Sequence, residues 1–212
     1  MAQRYGNPNS GRGWNEFQWE QELRRDDRRI TCYFRELPLC LDLPGEEEMI
    51  FEGMQSQPGL VPASAAPGHW RMWDAPVFDR GEDADADDDA PPRRKPGDEW
   101  IERLDRLHSE WHAIAALDLK EPLTEPALGV SCAFGKVIVR LTDFVDTESP
   151  ELLALKICLG KRAIEDINEL CGMLGAIGDL QPSVEKRTAA LAETLQHARE
   201  YLTDRLAELR RG

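Results

Sequence analysis

One stretch constrains this chain more than any other. Residues 127 to 145 read Ala-Leu-Gly-Val-Ser-Cys-Ala-Phe-Gly-Lys-Val-Ile-Val-Arg-Leu-Thr-Asp-Phe-Val, almost all apolar or small. Its charges, Lys136, Arg140 and Asp143, fall at spacings of four and three, which gathers them on one narrow strip of a helix. A helix apolar round most of its circumference has to be covered by several neighbours. It is almost long enough to span a bilayer, but three charges within it point to a protein core instead. No membrane partner is expected.

The flanking segments have the stripes needed to cover it. Trp100, Leu104, Leu107, Trp111 and Ile114 recur at spacings of four and three behind Asp98, a candidate N-cap. Ser149-Pro150-Glu151 is a helix start, with Ser at the N-cap and Pro at the first helical position. The helix it opens carries Leu153, Ile157, Gly160, Ile164, Ile167, Cys171 and Leu174, and Gly175, Gly178 and Asp179 are expected to end it. Pro182 opens the last helix, striped by Val184, Thr188, Leu191, Leu195, Ala198, Leu202 and Leu209. Residues 98–212 therefore predict an up-down four-helix bundle in an all-α protein. Gly129, Gly135, Gly160 and Cys171 fall on inward faces, where they would let helices approach closely.

Upstream the character changes. Residues 1–13 are Gly, Asn, Arg and Ser with little to bury, and disorder is expected. Residues 14–52 form a helical arm, with an apolar stripe at 19, 23, 30, 33, 34 and 37, a turn at Asp26-Asp27 and a stop or bend at Pro38. Glu46-Glu-Glu-Met-Ile-Phe51 is a short second helix behind the Pro44-Gly45 turn, with its acids in the first turn. Residues 53–97 hold repeated Pro and Gly and the run Glu82-Asp-Ala-Asp-Ala-Asp-Asp-Asp89, the composition of a disordered acidic linker. That run lacks the Gly at position six and the Glu at position twelve of a calcium loop.

Charge narrows the function. The net charge is -14, and the acidity is spread along the chain, with 12 basic against 19 acidic residues before 98 and 14 against 21 after. Nucleic-acid affinity comes mainly from clustered Lys and Arg on phosphates, so no nucleic-acid partner is expected. Five Cys, at 32, 40, 132, 158 and 171, include no CxxC pair and read as reduced thiols of a cytoplasmic protein.

Aromatic placement points to a partner. Ten of the fifteen Phe, Trp and Tyr lie before residue 98, outside the bundle. A Trp or Phe left in water forgoes roughly 1.5 to 3 kcal/mol of burial. Trp14, Phe17, Trp19, Tyr33, Phe34, Trp70 and Trp73 are accordingly expected to dock, on this chain's own bundle, on a second copy or on another protein. The leading expectation is a non-enzymatic interaction protein, an adaptor or scaffold, needing no cofactor.

The alternative is an enzyme built on the bundle. His108 and His112, four apart, share one side of a helix and are the only candidate metal ligands. A di-iron site would also need inward carboxylates. The stripes leave the 127–145 helix without one and turn Glu165, Asp166 and Glu169 outward. Arg103-Leu-Asp-Arg-Leu-His108 has an Arg-x4-His spacing that resembles the catalytic motif of HEPN-type ribonucleases, which are helical bundles. That resemblance implies His108 as base on a 2′-hydroxyl and Arg103 at the scissile phosphate. Leu104 stands where that family has a polar residue. Gly129-x5-Gly135-Lys136 resembles a phosphate loop only loosely, since no strand precedes it.

Overall fold

A computed structural model describes residues 13–40, 43–60, 94–120 and 123–211, with Phe34 and Pro38 described in their backbone only. The described residues form the helices α1 (Glu16–Cys40), α2 (Glu46–Gln55), α3 (Asp98–Leu117), α4 (Thr124–Asp146), α5 (Leu153–Leu180) and α6 (Glu185–Arg211), and a 3-10 turn, Pro150–Leu152, precedes α5. The described residues contain no strand, and the fold is all-α. None of the described helices is long and apolar enough to cross a membrane. The chain divides into two compact units, Met1–Pro91 and Pro92–Gly212.

The first unit is an αα-hairpin. Gly45 turns the chain between α1 and α2 in the left-handed region, φ +80°. Gly53 of α2 abuts Glu36 of α1, and Leu60, beyond α2, offers its carbonyl to Arg29 Nε at 2.7 Å. Later residues of α2 thus meet earlier residues of α1, which makes the pair antiparallel. Cys32, Cys40, Ile50, Met54 and Leu60 form the core between them, with Tyr33 and Leu37 packed at its edge.

Three local signals were overridden here. The expected turn at Asp26-Asp27 is absent, and α1 runs through it unbroken. Asp26 and Glu22 both pair with Arg29, at 2.8 and 3.2 Å, and Glu22 also takes Arg25 at 2.5 Å. Ion pairs at helical spacing support the acids mid-helix. Pro38 lies inside α1, which continues two residues further to Cys40. The helical arm also outlasts its expected end at residue 52. The α2 helix reaches Gln55, and the turn beyond it carries Leu60 into the core, because Met54 and Leu60 complete an apolar cluster that Gly53 and Pro58 alone would not predict. Residues 1–12 of the expected disordered segment, residues 61–93 of the expected acidic linker, Trp70 and Trp73 lie outside the described residues.

The second unit is the expected four-helix bundle. The α3 helix packs on α4, α4 on α5, α5 on α6, and α6 returns to α3, closing the ring. Leu104, Leu107, Trp111 and Ile114 supply the α3 face, as the spacing predicted, while Trp100 is only half-buried. The α6 stripe is also met, except that Leu206 closes it in place of Leu209, which is half-buried.

Two details of the bundle differ from expectation. The α4 helix is not covered all round. Leu128 and Val139 are 63% and 52% exposed on its outer side, and Cys132 is exposed beside them. The more deeply surrounded helix is α5, which lies between α4 and α6 and buries twelve of its 28 residues. Its glycines do not end it, since α5 continues through Gly175 and Gly178 to Leu180. A Cβ on Gly178 would stand 2.9 Å from Thr188 Oγ1, and one on Gly160 would stand 2.9 Å from Leu206 Cδ2 and 3.0 Å from Phe144 Cε2. These two permit close helix approach. Gly135, placed inward by the stripe, faces open space instead, and Cys171 is only half-buried.

The bundle begins before Asp98. Gly97, not Asp98, is the N-cap of α3, with φ +111°. A Cβ there would lie 2.7 Å from Val145 Cγ2 and 2.8 Å from the Tyr201 hydroxyl, so only glycine fits. Asp98 Oδ2 instead accepts the Lys95 N–H at 2.6 Å, and Lys95 Nζ pairs with Asp146 at 2.7 Å. A fragment of residues 92–212 is therefore expected to unfold in one cooperative thermal transition followed by circular dichroism. An aggregated fragment, or one without a transition, would show that residues 1–91 complete its core.

Candidate functional site

The aromatic arm and the α3 histidines are the two places where sequence reasoning put function. In the arm, Asn15 and Gln18 cap the start of α1 reciprocally. The Gln18 N–H donates to Asn15 Oδ1 and the Asn15 N–H to Gln18 Oε1, both at 3.0 Å. This cap fixes the helix start, with Trp14 just before it and Phe17 and Trp19 in its first turns. Trp14 and Trp19 pack with ring centroids 4.9 Å apart at 59°. Trp19 is buried, Trp14 half-buried, and Phe17 is 69% exposed. Tyr33 belongs to the hairpin core and is not part of this patch. The structure thus joins Trp14 and Trp19, leaves Phe17 in solvent on the side of α1 away from Trp19, and sets Tyr33 apart.

Along α1 the exposed positions are Phe17, Gln18, Gln21, Arg24, Arg25, Arg28, Thr31, Arg35 and Leu39, a single face with no acidic member. The carboxylates of α1 are at best half-exposed and stand beside it, several of them holding these arginines, as Glu20 does Arg24 at 2.7 Å. Phe17 and Leu39 bound this arginine face at its two ends.

On α3, His108 and His112 come together. Their Nε2 atoms are 2.9 Å apart, and the ring centroids 4.4 Å. With both rings neutral, one Nε2–H donates to the other Nε2. His108 also stacks on Phe134 of α4 at 5.4 Å and 18°, which fixes the plane of its ring. Partial burial lowers the His108 pKa below the ordinary imidazole value. The neighbouring His112 lowers it further, and Asp105 opposes both. His112 is exposed. Among the described residues no group of three His, Cys, Asp or Glu side chains closes on a common point.

Arg103 does not join this pair. Its guanidinium lies over the Trp100 ring, 5.2 Å from the centroid. Five residues of helix separate Arg103 from His108 by about 140° of rotation, so the two side chains leave α3 in divergent directions. Leu104, between them, is core.

The carboxylates of the bundle were misplaced by the stripes. Asp166 is not outward. It lies between α5 and α4, where Arg140 Nε meets it at 3.0 Å and Lys136 Nζ at 2.6 Å. Asp143 of α4 is also buried, so that helix does carry an inward acid. Glu165 and Glu169 are exposed, as expected. The strip of α4 charges was legible; that it would turn towards α5 and draw one acid inward was not. Held by two cations, Asp166 braces the α4–α5 seam. His197 is exposed on α6, as its position off the stripe implied.

Comparison of this chain with protein-family models, with curated proteins and with solved structures finds no match.

Proposed function

We propose that this protein is a helical interaction module, an adaptor or scaffold, which presents the start of α1 to a protein partner. The observation that carries this reading is Phe17, 69% exposed at the capped start of α1, on the side of the helix away from buried Trp19. A Phe held in water forgoes roughly 1.5 to 3 kcal/mol of burial, which a partner's apolar pocket would recover. The helix is already ordered, so docking it costs little conformational entropy. Arg24, Arg25 and Arg28 follow Phe17 along the same face, which suits a groove with an apolar end and an acidic rim. The five cysteines stand as separate thiols, which supports a reducing, cytoplasmic setting.

The test places a photo-crosslinking phenylalanine analogue at position 17 and, as control, at exposed Glu110 of α3. A discrete product from position 17 alone is expected, either a second copy of this chain or another polypeptide. Phe17→Ala should weaken the same association at least tenfold by competition. Indiscriminate labelling from both positions, or equal competition by Phe17→Ala and wild type, would remove the basis for this function.

A further inference from the structure

The pair of imidazoles on α3 has the geometry of a chelate. We propose that His108 and His112 bind one divalent transition-metal ion of the Ni2+ and Cu2+ class through their Nε2 atoms, as cis ligands on the bundle surface.

Residues four apart in a helix lie one above the other, so both rings leave the same side of α3. Their Nε2 atoms are 2.9 Å apart. Two cis nitrogens of a square-planar or octahedral ion, with bonds of about 2.0 to 2.1 Å, stand about 2.8 to 3.0 Å apart by simple geometry. Two nitrogens of a tetrahedral zinc ion at similar bond lengths stand about 3.3 to 3.4 Å apart. The observed separation matches the cis arrangement.

The site is pre-organised on one side. His108 is held against Phe134, with ring planes only 18° apart, so one donor is aimed before any ion arrives. His112 is exposed and supplies the approach from solvent. Binding needs no net loss of a proton. The Nε2–H of whichever ring is the donor moves to its Nδ1, and both Nε2 lone pairs then face the ion. Asp105, one turn before His108, lies within about 60° of both histidines round the helix and adds negative charge on the cation's side. With no third protein donor closing on the pair among the described residues, the remaining positions are open to water or to an outside ligand.

Isothermal titration of the full chain with Ni2+, in a non-coordinating buffer, tests this. One ion per chain is expected. His112→Ala changes an exposed side chain and should weaken Ni2+ binding at least tenfold while the circular dichroism melt stays unchanged. The double variant His112→Ala/Ala113→His keeps the number of histidines but rotates one off the shared side, and should bind as weakly as His112→Ala. His197→Ala, on α6, should bind as wild type does. Undiminished binding by His112→Ala or by the double variant, or no binding by wild type, would overturn the site. Zn2+ held more tightly than Ni2+ would overturn the cis geometry and with it the choice of ion.

Discussion

Trp111→Ala is expected to destabilise the bundle by about 3 to 5 kcal/mol, the range for truncating a fully buried large aromatic. Trp111 has no exposed surface and stands where α3 meets α4. Its Nε1–H is shared between Ser131 Oγ at 3.1 Å and the Ala127 carbonyl at 3.3 Å. The substitution therefore removes both a large apolar side chain and the donor that orients it. Trp111→Phe keeps most of the volume and should lose less, because the Ser131 hydroxyl still has the Ala127 carbonyl at 3.2 Å. Urea unfolding of residues 92–212, followed by circular dichroism, measures both. A loss below 0.5 kcal/mol for Trp111→Ala, the level of an ordinary surface change, would contradict the placement of this ring.

Asp166→Ala should cost a comparable amount, about 3 to 5 kcal/mol, for an electrostatic reason. The Asp166 and Arg140 side chains are only 5% and 9% exposed. Removing the acid takes from a buried guanidinium the carboxylate it faces at 3.0 Å, and with it much of what offsets the desolvation of that charge. Lys136, 43% exposed, can turn to water and limits the loss on its side. The double replacement Arg140→Met/Asp166→Leu should be far milder than Asp166→Ala, since a buried pair and a well-packed apolar pair are often close in stability. If the double variant loses as much as Asp166→Ala in the same unfolding experiment, the cost is one of shape and not of charge.

The two predictions rest on residues of different legibility. Trp111 could be placed from spacing alone, because the apolar positions of α3 repeat with one period and face one way. Asp166 could not. The stripe drawn through Ile164, Ile167 and Cys171 assumed a single apolar face on α5, yet that helix lies between α4 and α6 and buries two. Ile164 and Cys171 are consequently half-buried, while Ala163, Asp166 and Leu170 point into the seam. Single-face periodicity fails for a helix with neighbours on both sides.

The candidate sites divide the same way. That His108 and His112 share a side follows from four residues of helix. That their nitrogens stand 2.9 Å apart depends on Phe134 of the next helix fixing one ring. The exposed Phe17 and the buried Trp19 are two residues apart and therefore on opposite sides of α1, and the stripe that starts at residue 19 and omits 17 told them apart.

What the sequence by itself determined is the all-α class, the four helices of the bundle and most of the inward positions of α3 and α6. Local spacing and Pro, Gly and capping signals suffice for these, because they act within a few residues. Tertiary structure decided the rest: the continuity of α1 through Asp26-Asp27, the extension of the arm to Leu60, the burial of Asp166 and the need for glycine at position 97. The first rests on ion pairs within α1, whose Arg29 also meets the Leu60 carbonyl, and each of the others on a partner far along the chain or on the packing of a neighbouring element. Such pairings are made in space, where an ion pair or a few buried methyl groups outweigh a local preference of about 1 kcal/mol.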